Sequence, residues 1–109
     1  MKVIYKYPLM VIDRQTIKLP TKEFKILSVQ PSILDKREIF VWVELDKNEK
    51  REPHMVSILI KVTGREFKNE NLEYIGTFQV PENTGVLVGH VYLEDERDPL
   101  EKQGLKPWI

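Results

Sequence analysis

Hydrophobic and polar residues alternate along most of this chain with a repeat of two residues. Between residues 2 and 9, the odd positions are apolar or aromatic, whereas lysine or proline fills three of the four even positions. A repeat of two indicates β-strands that have one face on a core and the other face in solvent. The pattern predicts strands over residues 3–9, 15–19, 24–30, 39–45, 56–62, 73–80 and 86–93.

The connections between these strands are short. None of them holds the dozen or so residues of a parallel crossover, so neighbouring strands are expected to be antiparallel. Residues 39–45 are apolar on both alternating faces, which indicates a central strand. Gly76 lies inside a strand, which indicates a bulge or a close backbone approach. The charged residues 46–53 are expected to form a hairpin tip.

The predicted fold class is therefore mostly β. We expect one antiparallel β-sheet or sandwich-like domain of about seven strands over residues 1–94. The expected core consists of apolar residues from the strands: Val3, Tyr5, Ile26, Leu27, Val29, Val41, Val43, Val56, Ile58, Ile60, Val62, Ile75, Phe78, Val86, Val88 and Val91.

Residues 95–109 form a C-terminal extension of different composition, which is polar and contains two prolines and one glycine. Two structures stay open for it, a short helix over residues 99–103 and an irregular segment. Its last residues include Leu105, Trp108 and Ile109, and apolar side chains of this size are expected to dock. We expect them to contribute to a homo-oligomer, at least a dimer, with docking onto the chain's own domain as the alternative.

The charge balance and the absence of cysteine exclude several function classes. Lys and Arg number 17 and Asp and Glu number 17, so no global field favours long nucleic acids or an anionic membrane. With no cysteine, thiol catalysis, disulfides and cysteine-ligated metal sites are excluded. No apolar run approaches the roughly 20 residues of a membrane helix, and no signal-peptide core is present, so a cytoplasmic location is expected.

The sequence contains none of the common catalytic patterns. The two histidines, His54 and His90, lack the spacing of a zinc-protease helix. A site of two histidines and a carboxylate, with Asp13 or Glu73 as third ligand, stays arithmetically open. Neither a nucleophile elbow nor a phosphate-binding glycine pattern occurs. We therefore expect a protein that is not an enzyme and that uses no metal or cofactor.

Features typical of anion binding are present in one turn. The backbone amides of Thr63, Gly64 and Arg65 can form an anion-binding concavity, and the guanidinium can form paired hydrogen bonds with a phosphate. Gly64 is suited to a positive φ at this turn. Further ligand-binding candidates are a cation, two rings for stacking and a mid-strand histidine: Lys6, Trp42, Phe78 and His90. The opposing interpretations are a polar loop with a free arginine and a half-buried histidine bonded to a neighbour.

Several short blocks follow one another in a recognisable order along most of residues 1–94. They are Lys6-Tyr7-Pro8-Leu9, Lys25 to Gln30 (KILSVQ), Thr63-Gly64, Tyr74 to Gln79 (YIGTFQ) and His90-Val91-Tyr92. Their order resembles a family of small, uncharacterised tailed-bacteriophage proteins. This chain departs from the family pattern in two places. The connection over residues 31–38 is longer, and Arg65 stands where the family often has histidine.

The resemblance implies an accessory role in an infected host cell rather than a mechanism. Small phage proteins of this kind antagonise host defence, redirect a host enzyme or bind a signalling nucleotide. The first hypothesis is therefore a non-enzymatic sponge that sequesters a cyclic nucleotide or a cyclic ADP-ribose-type defence signal. The alternative is an inhibitor or adaptor that binds a host protein, with the exposed aromatic face around Trp42 and the charged tip Asp46–Glu52 as its contact surface.

Overall fold

The structure is a computed structural model, and it describes residues 1–34, 38–46, 52–68 and 71–95. These residues form seven β-strands, and the predicted fold class is confirmed. Every pair of hydrogen-bonded neighbouring strands is antiparallel. The strands are β1 Lys2–Met10, β2 Arg14–Leu19, β3 Phe24–Pro31, β4 Glu38–Asp46, β5 His54–Val62, β6 Leu72–Glu82 and β7 Gly85–Glu94.

The strands form two sheets that share one core. The three-stranded sheet has the order β1-β4-β3, and the four-stranded sheet has the order β2-β5-β7-β6. The central place of β4 agrees with its two-sided apolar pattern. The prediction of a hairpin at residues 46–53 is wrong, because β4 and β5 lie in different sheets. Residues 47–51 of that connection lie outside the described residues.

The passage from β1 to β2 is held by hydrogen bonds at its corner. The Gln15 side chain donates to the carbonyl of Met10 at 2.6 Å and accepts from the Met10 amide at 3.0 Å. The amide of Ile60 donates to the carbonyl of Asp13 at 3.0 Å. These bonds satisfy backbone groups at the point where the chain leaves one sheet and enters the other. They also fix the start of β2 beside β5.

One hydrophobic cluster lies between the sheets, and both sheets contribute to it. Three residues that were expected in the core are exposed instead: Tyr5, Leu27 and Val86. Tyr5 lies on an edge strand, Leu27 is the extra residue where the pairing of β3 shifts, and Val86 follows the turn that begins β7. The other predicted core residues are buried or half-buried. The largest fully buried side chains are Leu9, Leu19, Ile39, Leu45, Ile58 and Leu93.

Asp95, the first residue of the C-terminal extension, is buried at the end of β7. Its carboxylate Oδ1 lies 3.4 Å from Nε2 of His54, and the His54 ring lies 5.8 Å from the ring of Phe24. His54 is therefore part of the packed end of the sandwich. Residues 96–109 lie outside the described residues, so a helix over 99–103 stays a prediction.

Candidate functional site

The outer face of the four-stranded sheet carries a chain of polar side chains centred on His90. Oγ1 of Thr77 lies 2.9 Å from Nδ1 of His90, and Oγ1 of Thr63 lies 2.8 Å from Nε2. The hydroxyl of Tyr74 continues the chain at 2.5 Å from the Thr77 hydroxyl. A hydroxyl can either donate or accept, so both threonines can match either tautomer of the imidazole.

The strand register explains why these side chains meet. Lys61 of β5, His90 of β7 and Thr77 of β6 lie opposite one another across three adjacent strands. The pairing of β6 with β7 shifts between Tyr74 and Gly76, and this bulge puts Tyr74 and Thr77 on the same face although they are three residues apart. The site therefore depends on one irregularity in the ladder.

A row of three aromatic rings lies beside this polar chain. The Tyr92 ring is central, with the Phe67 ring at 5.3 Å and the Tyr74 ring at 5.6 Å, both edge to face. This is the favoured arrangement of aromatic pairs. Tyr74 keeps 55% of its surface exposed and Phe67 keeps 40%. Both outer rings of the row are accessible from solvent.

The end of β5 and the segment that follows it bring a cation, Lys61, and an aromatic ring to the same face. Gly64 has a φ of 92°, so the chain turns sharply there, and the Arg65 amide donates to the Val62 carbonyl at 3.4 Å. The Phe67 ring then packs against Tyr92, and the ammonium of Lys61 lies 5.4 Å from its centroid. Residues 61–68 hold three cations and one carboxylate. We call the surface that these side chains form together the imidazole face. Its members are Lys61, Thr63, Phe67, Tyr74, Thr77, His90 and Tyr92.

An ion pair borders the imidazole face on the β2 side. The Arg14 guanidinium donates to both carboxylate oxygens of Glu94, the two bonds being 2.5 and 3.2 Å long. These bonds lower the pKa of the Glu94 carboxyl, although partial desolvation acts in the opposite direction. Glu94 is thus neutralised by its partner.

The second aromatic surface lies on the outer face of the three-stranded sheet. The Lys6 ammonium lies 4.4 Å from the Phe40 centroid and 5.7 Å from the Trp42 ring. The Trp42 indole N–H donates to Oε1 of Gln30 at 3.2 Å. Val41 and Val43, which alternate with these aromatic residues along β4, point into the core. We call the surface of Lys6, Phe40, Trp42 and Gln30 the lysine platform.

The predicted ligand-binding residues thus divide between two surfaces and the core. Thr63 and His90 belong to the imidazole face, and Gly64, which has the expected positive φ, and Arg65 lie in the turn that follows Thr63. Lys6 and Trp42 lie on the lysine platform, on the other sheet.

Phe78 does not belong to either surface. It is 2% exposed, because it points inward and fills the space above Gly89 on the neighbouring strand. A residue in this position is not accessible for stacking on a ligand, so the proposal for Phe78 as a stacking partner is corrected.

Sequence reasoning missed Lys61, Phe67, Tyr74, Thr77 and Tyr92. The pattern His90-Val91-Tyr92 places a histidine and a tyrosine on one strand face, and this was available from the sequence. The place of Tyr74 and Thr77 depends on the bulge, and the place of Phe67 depends on how its segment folds back. Those two features follow from tertiary structure.

The described residues contain no group of three His, Asp or Glu side chains that could hold a metal ion. His54 is packed against Phe24 and Asp95, whereas His90 lies on the imidazole face, so the two do not share a site. Among the described residues, no helix is long and apolar enough to cross a membrane.

A family model matches almost the entire chain. It is the model of a domain of unknown function, DUF7352, and it covers residues 1–102. The chain belongs to the DUF7352 family. Comparison with curated proteins and with solved structures found no match. The region that matches the DUF7352 model includes all seven strands, and therefore both the imidazole face and the lysine platform.

Proposed function

We propose that this protein is a non-enzymatic binding protein for a phosphate-bearing, nucleotide-type ligand, which it holds on the imidazole face. The observation that carries the proposal is the presence of accessible aromatic rings, a cation and hydroxyl groups on one side of one sheet. Nucleotide bases stack on aromatic rings, and phosphates bind cations and N–H donors.

The roles of the side chains follow from their chemistry. Tyr74 and Phe67 are the accessible rings for stacking. Tyr92 lies between them and packs against both. Arg65 and Lys61 are the cations, and Arg65 can bind a phosphate through two parallel hydrogen bonds. His90 and its threonines offer a hydrogen-bonding edge to a ribose or a base.

Binding without turnover is part of the proposal. Among the described residues, the imidazole of His90 contacts two hydroxyls and no carboxylate, so this part of the chain does not supply the orienting acid of a catalytic triad. We therefore expect the ligand to be held and released unchanged. Sequestration of a defence signal in the cytoplasm of an infected cell, which the phage resemblance suggested, is the biological form of this proposal.

Calorimetric titration tests the proposal directly. The panel consists of cyclic dinucleotides, cyclic trinucleotides and cyclic ADP-ribose isomers, each titrated into the full chain. We expect one class to bind, and chromatography after heat denaturation to recover that ligand intact. Absence of binding across the panel would overturn the proposal. Recovery of a cleaved ligand would show that the protein is an enzyme and does not only sequester its ligand. Native mass spectrometry of the same sample reports the subunit count.

Site-directed variants test whether the ligand binds on the imidazole face. Arg65→Gln and Tyr74→Leu are each expected to weaken binding by about tenfold or more, since a charge-assisted contact and a stacked ring each contribute about 1–3 kcal/mol. Lys18→Gln is the matched control, because Lys18 is an exposed cation of β2. Equal losses in Arg65→Gln and Lys18→Gln would indicate non-specific charge attraction instead.

A further inference from the structure

The lysine platform is centred on one cation, the ammonium of Lys6. In the described part of the chain Lys6 forms no salt bridge. Two of the three carboxylates of β4 are engaged elsewhere, since Glu44 pairs with Lys2 at 3.0 Å and Asp46 lies 3.7 Å from the terminal amine. The rings of Phe40 and Trp42 fix the ammonium in place. A positioned, unpaired cation is suited to receive an anion.

Apolar side chains flank this cation along β1. Ile4 and Met10 keep 55% and 54% of their surface exposed. Both belong to the outer face, because their partners in β4 are Glu44 and Glu38, which alternate with buried residues. Exposed apolar side chains that lie together on one face are typical of protein-binding sites.

The sheet edges carry features that oppose association by strand addition. β1 contains Lys2, Lys6 and Pro8, and β2 has only six residues. The pairing of β3 and of β6 is interrupted by a register shift, and each of these strands also contains a proline. Lysines, prolines and bulges are the usual means by which edge strands avoid pairing. A partner is therefore expected on a face.

We propose that the lysine platform docks a protein segment that presents a carboxylate next to an apolar side chain. The carboxylate would pair with Lys6, and the apolar side chain would pack against Ile4, which lies two residues from Lys6 on the same face. A second copy of this chain fits less well. A two-fold axis through the platform centre would bring two Lys6 ammonium groups together, and like charges in contact oppose association. This proposal is independent of the ligand on the imidazole face.

A displayed library of random short peptides, panned against the full chain, tests the proposal. We expect enriched peptides to contain Asp or Glu next to an aliphatic or aromatic residue. Binding of the most enriched synthetic peptide is then followed by tryptophan fluorescence in a Trp108→Phe background, where Trp42 is the remaining tryptophan of the two.

Charge variants of Lys6 decide whether the platform is the site. Lys6→Gln is expected to raise the Kd of the peptide roughly tenfold or more, whereas Lys6→Arg keeps the charge and stays within about threefold. Lys18→Gln and Arg65→Gln are controls on the other sheet and are expected to leave the Kd unchanged.

Four outcomes would overturn the proposal. They are no enrichment, enriched peptides without acidic residues, equal affinity in Lys6→Gln, and light scattering that shows a dimer which Lys6→Glu dissociates. The last outcome would identify a second copy as the occupant. Loss of nucleotide binding in Arg65→Gln with peptide binding intact separates this result from the test of the imidazole face.

Discussion

Gly76 of β6 lies directly against Val29 of β3, across the interface between the two sheets. A Cβ atom added at Gly76 would stand 2.8 Å from Cγ1 of Val29. That distance is shorter than van der Waals contact, so one of the two strands would have to move. The same glycine follows the register shift of β6, so close sheet packing and the bulge meet at one residue.

Gly76→Ala is expected to destabilise the protein by about 1–3 kcal/mol, because it overpacks a tight contact. Urea unfolding measures the change in the free energy of unfolding. The control is the pair Val29→Ala and Gly76→Ala/Val29→Ala, since removal of the valine methyls makes room for the new Cβ. The glycine substitution should cost less in the Val29→Ala background, and equal costs in both backgrounds would contradict this contact.

Thr77→Val tests the hydrogen-bonded chain around His90. The substitution keeps the shape of the side chain and removes the hydroxyl that joins Tyr74 to His90. We expect a change in the Nδ1 nitrogen chemical shift of His90, together with a loss of less than about 1.5 kcal/mol in stability. Thr63→Val is the matched variant and should act on Nε2. An unchanged Nδ1 shift in Thr77→Val would show that this bond does not form in solution.

The Glu94 carboxyl is expected to titrate at a lower pH than an ordinary glutamate. Its pKa is lowered by the hydrogen bonds from Arg14. The stabilisation is therefore present above the unfolded-state pKa of about 4.3 and is lost as the pH falls through the folded-state value. NMR titration of the carboxyl carbon should show the lowered pKa and its return toward the ordinary value in Arg14→Gln. A titration that Arg14→Gln leaves unchanged would rule out this pair.

Tyr7 gives the opposite dependence, at alkaline pH. Burial raises its pKa, and the charge of Tyr5 adds to the effect. The contribution of Tyr7 to stability is present below the unfolded-state pKa of about 10 and is lost as the pH rises through the folded-state value. Spectrophotometric titration should show a late-titrating tyrosine that is missing in Tyr7→Phe. Tyr5→Phe should bring the Tyr7 pKa nearer to its ordinary value.

Local pattern determined the strands of this protein. An alternation of two residues is a property of the strand itself, because successive side chains point to opposite faces. The two-sided apolar run of β4 indicated its central place, and Gly76 indicated the bulge, since a glycine in a strand is costly without a local reason. These inferences needed no knowledge of which strands were neighbours.

Tertiary structure decided which side chains share a surface. Lys6 and Arg65 were expected to act on one ligand, yet they lie on different sheets, because the chain passes between the sheets after β1, β2 and β4. Phe78 was assigned to the core and to the ligand site together, and its packing over Gly89 places it in the core. Pairing joins residues that are distant in sequence, and one shift in register moves a side chain to the other face. The strands therefore follow from neighbouring residues, whereas the imidazole face and the lysine platform arise only from the arrangement of the two sheets.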